Sequence, residues 1–148
     1  GSVIARPFGG RGFFHEKGKL VPNSLLSSYT TPTDIPPDAT QSNEFAATYQ
    51  DFTTNITARL TEIQQQAFDY YRKYYAKFYE DTAQSGEAPL GIDTVEKHNP
   101  YIKDIGYLRL SDGGILRITI HYDLDTEHGL EVKFVNGQVA DTGGIADT

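Results

Sequence analysis

His121, Asp123, Asp125, Glu127 and His128 gather five protonatable side chains within eight positions. Imidazole exchanges protons near neutral pH, and carboxylates hold cations or orient an imidazole. Asp123-x-Asp125-x-Glu127 has the opening rhythm of a calcium loop, but the glycine at the sixth position and the distal bidentate glutamate are missing. His121 and His128 could join a carboxylate around zinc, yet the sequence offers no third ligand at a convincing spacing. The chain has no cysteine, which removes thiolate–metal sites, cysteine nucleophiles and disulfides. There is no Gly-x-Ser-x-Gly elbow. Gly9-Gly10-Arg11-Gly12 lacks the lysine and helix of a phosphate-cradling loop. The expectation is therefore a solvated connection between strands, with no metal, no cofactor and no catalytic residue. The rival reading is a small hydrolase or metal-dependent enzyme built on the His121–His128 loop.

A second group of residues suits binding. Phe68, Tyr71, Tyr75 and Tyr79 recur at three- and four-residue steps beside a parallel series, Tyr70, Tyr74 and Phe78. One series suffices to pack a helix on a sheet, and tyrosine in a second offers apolar area with a polar tip. Tyr71, Tyr75 and Tyr79, bordered by Glu80 and Asp81, are thus expected to face a protein partner. Should an N-terminal hairpin cover that stripe, the acidic Asp123, Asp125 and Glu127 become the better candidates.

These groups need elements to hold them. Apolar residues at Phe45, Tyr49, Phe52, Ile56, Leu60, Ile63, Ala67, Tyr70, Tyr74 and Phe78 keep the period of one helical face. They predict an amphipathic helix over 41–85, ended by Gly86 and Pro89, with a weak point at Thr53-Thr54-Asn55. Asp38 with Gln41 has capping-box spacing, and Ser42 is an alternative cap. Downstream the period changes to two. Leu116, Ile118, Ile120 and Tyr122 alternate with Arg117, Thr119 and His121, and Leu130, Val132 and Phe134 repeat the pattern. Ser111-Asp112-Gly113-Gly114 and Asn136-Gly137 are hairpin turns. Residues 105–142 should then form an antiparallel meander whose apolar face is covered by the helix. Residues 3–22 read as an N-terminal hairpin turning at His15–Gly18, and 23–40 as a proline-rich linker. The expected fold is one α+β domain.

Bulk composition narrows the partners. A formal charge of −7 speaks against nucleic acid and favours a basic protein. No apolar run approaches the roughly 20 residues that span a bilayer. The missing cysteines fit a reducing compartment, the bacterial cytoplasm. Gly1-Ser2 reads as an expression scar, and the absence of methionine fits a processed or excised domain.

The segment Tyr122–Phe134, which contains Glu127-His128-Gly129-Leu130, followed by Gly137, Val139 and Gly143, resembles the C-terminal signature of a bacterial family of domains of unknown function. An upstream Tyr-Tyr pair, here Tyr70-Tyr71, fits the same resemblance. Many such small proteins resemble immunity proteins of polymorphic-toxin and contact-dependent inhibition systems. The resemblance implies a non-catalytic role, in which the chain binds a cognate toxin and occludes its active site.

Overall fold

The computed structural model describes residues 2–5, 13–22 and 39–148. Proline-rich 23–38, the glycine cluster at 9–12 and the Asp38 cap lie outside them. Helix α1, Ala39–Thr54, begins before Ser42, which therefore sits within it and is not its cap. The helix expected as a single run over 41–85 is interrupted. Helix α2 spans Ile56–Tyr74, and the short α3, Ala76–Tyr79, and α4, Thr82–Ser85, follow. The first interruption is chemical. The Asn55 amide donates to Asp51 O (2.9 Å) and the Thr53 hydroxyl reaches back to Tyr49 O (3.2 Å), so side chains compete for carbonyls that the helix would use. The second, at Tyr75, turns the chain without losing the bond from Tyr75 N to Tyr71 O.

The meander forms as the period-two pattern requires. Strands β4 (Ile102–Ser111), β5 (Ile115–Tyr122), β6 (Leu130–Val135) and β7 (Gln138–Gly143) pair antiparallel in chain order. Leu108, Ile118 and Val132 lie side by side across three strands, as do Leu110, Leu116 and Phe134. This face is buried against Phe45, Phe52, Leu60, Ile63 and Ala67 of α1 and α2, while Ile56 is half-buried at its margin. Left-handed Asn136 and Gly137 make the β6–β7 turn, and Gly113 and Gly114 the β4–β5 turn. The Glu44 carboxylate on α1 accepts the N–H groups of both turn glycines and ties the first helix to the sheet.

The N-terminal hairpin is shorter than expected. Only β2 (Phe13–Glu16) and β3 (Lys19–Pro22) form it, turning at Lys17-Gly18. Strand β1, Ser2–Ala5, leaves the hairpin and pairs with β4, giving a five-stranded sheet in the order β1-β4-β5-β6-β7. The meander leaves one edge of β4 with unpaired backbone groups, and the β-branched Val3-Ile4 segment satisfies them. The β2–β3 hairpin instead docks on α2, with Phe13 and Leu20 buried.

The outer face of the sheet is only partly wet. Thr119 and Glu131 are buried there although the alternation assigns them to solvent. The segment after β7 folds over them. Thr148 donates its hydroxyl to Glu131, Arg117 donates to Thr148 O (3.1 Å), and Arg109 stands 3.7 Å from the Glu131 carboxylate.

Ile118 is fully buried at the centre of the inner face. Ile118→Ala should lower the unfolding free energy by about 2–5 kcal/mol, because the cavity adds to the lost transfer energy. Urea melts of the two chains check this. A loss below about 1 kcal/mol would refute the central position.

Candidate functional site

The loop 123–129 and the tyrosines of α2 and α3, read from sequence as alternatives, are one hydrogen-bonded unit. Tyr75 donates its hydroxyl to Asp125 (2.7 Å), and Tyr79 donates to Leu124 O (2.8 Å). Asp125 also accepts the backbone N–H of His128 (2.9 Å) and the His128 Nδ1–H (3.1 Å). Burial would raise the Asp125 carboxyl, but the His128 and Tyr75 donors outweigh it and hold it below the ordinary carboxylate value. The same bond to Asp125 raises the His128 imidazole above its usual value. Gly129 ends the loop at φ +62°, where a Cβ would stand 2.7 Å from Ile145 and 3.0 Å from Ile120 O. Glycine is what lets the chain re-enter the sheet there.

Tyr71 corrects the sequence reading. It is fully buried and cannot meet a partner. Its cover is the segment joining α4 to β4 and not the N-terminal hairpin. That segment is more than a loop, for it holds α5 (Val95–His98) and a 3-10 turn, Asn99–Tyr101. Ile92 and His98 pack on Tyr71 and Phe68. The Tyr71 hydroxyl donates to Glu80, which also accepts the N–H groups of Gly91 (2.8 Å) and Ile92 (3.2 Å). Burial opposes ionisation of Glu80, yet these three donors keep its carboxyl low. Glu80 is therefore occupied in holding its own fold. Asp81 caps α4 by accepting from Ala83 N (2.9 Å). Tyr75 and Tyr79 are half-buried with their hydroxyls committed to the loop. The aromatic residues left open are Tyr74 (48% exposed) and Phe78 (46%), which the periodicity had assigned to the core. They adjoin the tyrosines that hold the loop: Tyr74 lies tilted against Tyr70, which touches Tyr75, and Phe78 meets Tyr79 edge-on. Asp123 is paired with Lys103 (3.3 Å), and Glu127 is exposed at the loop tip.

Beneath this surface lies a buried imidazole that the sequence does not advertise. His98 Nε2 shares a hydrogen bond with the Tyr122 hydroxyl (2.6 Å), and its Nδ1 has no partner among the described residues. Burial lowers the His98 ring to about 4 and raises the Tyr122 phenol. Thr94 caps the short helix that carries it by accepting from Lys97 N.

The two histidines of the proposed catalytic loop do not converge. His121 pairs with Asp104 on β4, and His128 with Asp125. A pocket of about 250 Å3 is lined by His121, Tyr122, Asp123 and Lys103, without His128. Among the described residues no three His, Asp or Glu side chains are grouped to hold a metal ion, and no helix is long and apolar enough to cross a membrane.

The family model of a domain of unknown function, DUF6985, matches residues 14–147. The chain belongs to the DUF6985 family. The match takes in nearly all of the β2–β3 hairpin, the helices and strands β4–β7, far more than the C-terminal signature alone. In this DUF6985 domain the signature residues have visible structural work: Asp125 and His128 close the loop, and Gly129 and Leu130 start β6. No curated protein and no solved structure matches the chain.

Two titrations check this geometry. Neutral His98 is what the fold holds, so as pH falls from 6.5 to about 4 the unfolded chain takes up the proton first and stability is lost. The loss should be on the order of 3 kcal/mol in urea melts, and His98→Gln should flatten it. An unchanged slope in that variant would dismiss His98 as its source. For His128 the sign is opposite: its bond to Asp125 is fully present below the ordinary imidazole value and fades as pH rises through the raised one. An NMR titration should show the His128 midpoint falling in Asp125→Asn. A midpoint that stays put would break the assignment.

Proposed function

We propose that this chain is an immunity-type protein that acts in the bacterial cytoplasm, binding a basic toxin domain and covering its active site. The supporting observation is the preorganised acidic loop. Tyr75 and Tyr79 fix it from below through their hydroxyls, so Asp123 and Glu127 are presented at little entropic cost on binding. Tyr74 and Phe78, open next to the tyrosines that hold the loop, supply the large apolar side chains that dominate interface energetics. The net charge of −7 would steer a cationic domain towards them. The anchors differ from those expected by sequence, since Tyr71 is core and Tyr75 and Tyr79 act as supports. The binding face is Tyr74, Phe78, Asp123 and Glu127.

The experiment starts from the reading frame encoded immediately upstream. Its product, expressed alone, should arrest growth, and co-expression of this chain should restore it. Purified, the two should form a complex whose association slows as salt rises. Glu127→Lys should reduce the association rate about tenfold at low ionic strength, and Tyr74→Ala should mainly speed dissociation. Both positions are exposed, so both variants should melt like the parent. Absence of arrest, of rescue or of a complex would overturn the reading.

A further inference from the structure

Strand β7 is the last of the sheet, and its outer backbone groups have no strand partner among the described residues. Natural proteins defend such edges, and β7 is defended only in part: a bulge at Ala140 and the charge of Asp141 interrupt it. Beside that edge runs α2, held close by the Thr142 hydroxyl, which donates to Gln66 (3.1 Å). Between helix and strand lies an open groove of about 330 Å3, lined by Asp69, Tyr70, Tyr74, Val139 and Asp141, with Lys73 at its rim. The Tyr70 and Tyr74 rings, 4.6 Å apart, form one wall. Lys73 leans its ammonium over the Tyr74 ring, 5.2 Å from the centre. The groove charges are otherwise negative; burial, then the neighbouring Tyr74 and the carboxylates of Asp147, Asp125 and Asp141, raise the Tyr70 phenol.

We propose that this groove receives an extended, basic segment of the protein partner, added to β7 as a sixth strand. The inference rests on the protein-binding reading above and says how part of that partner is held. Strand addition supplies backbone hydrogen bonds, and the side-chain alternation of a strand supplies the code. Val139 and Thr142 oppose Phe134 and Val132, whose side chains face the helices, whereas Asp141 opposes Lys133 on the outer face. An added strand would turn every second side chain towards Tyr70 and Tyr74 and the others towards Asp141. The fitting sequence alternates apolar and basic residues. Charge complementarity selects this occupant over a second copy of the chain, whose own net charge of −7 would repel it.

The probe is an acetylated, amidated octapeptide of alternating valine and lysine, titrated into the 15N-labelled chain. The amides of Val139–Gly143 should shift together with those of Tyr70 and Tyr74. Binding should weaken with salt, and Asp141→Lys should weaken it at least tenfold at low ionic strength. The same peptide N-methylated at alternate residues should bind at least tenfold more weakly, because it cannot complete the ladder. Four outcomes would overturn the proposal: no shift at millimolar peptide; shifts confined to 123–128; equal binding of the methylated peptide; or a concentration-dependent dimer that maps to β7. Growth rescue separates the two readings. If Glu127→Lys abolishes rescue while Asp141→Lys preserves it and the peptide is silent, the groove fails and the immunity reading stands. If the upstream product needs no neutralising but the peptide pairs with β7, the groove stands without it.

Discussion

Gln64 sits on the buried side of α2, and its Oε1 accepts two donors from distant parts of the chain. One is Leu20 N on the hairpin (3.3 Å) and the other is Asn99 Nδ2 (2.7 Å), while its own amide returns to Leu60 O. Asn99 continues to Gly18 O (2.7 Å), so three segments without local contact are joined through two side-chain amides. In a dry interior such a network is strong when complete and costly when broken. It also sets the position of His98, the next residue back, and through His98 that of Tyr122 at the end of β5. The loop that follows Tyr122 therefore starts from a point fixed by α2.

That connection explains how the exposed surface acquires its order. The loop carries acidic groups, Asp123, Asp125 and Glu127, whose like charges repel one another. Tyrosine hydroxyls from the neighbouring helices meet it as donors, satisfying Asp125 and the Leu124 carbonyl. Burial opposes ionisation of Asp125, but the Tyr75 hydroxyl, with the His128 donors, favours the charged form the surface displays. The tyrosines thus convert buried aromatic area into control of a charged loop, with Tyr122 meeting Tyr75 edge-on as the link to the core.

Much of the fold was legible because its signals are local. The alternation from Leu116 to Tyr122 and from Leu130 to Phe134 admits one buried face, and Asn136-Gly137 admits one turn. The helix surface was not legible to the same degree. Tyr70, Tyr74 and Phe78 have the same period as Tyr71, Tyr75 and Tyr79, so periodicity cannot say which row is covered. The decision comes from Ile92 and His98, which lie on another segment and carry no mark of their destination. Gln64 was missed for a related reason, since a glutamine in a helix reads as surface until its partners are known. The pairing of β1 with β4 left no trace at all, because edge pairing between distant segments depends on backbone groups and not on residue type.

The β1–β4 pairing also bears on how the chain is made. Val3 leaves the ribosome roughly 5 to 20 s before Leu110, the residue it will lie beside. Throughout that interval the N-terminal segment lacks its native strand partner, which exists only once β4 has been made. Closing so large a loop is slow compared with forming the hairpins of the meander. Vectorial synthesis therefore favours an order of assembly in which the meander forms before β1 is placed on its edge.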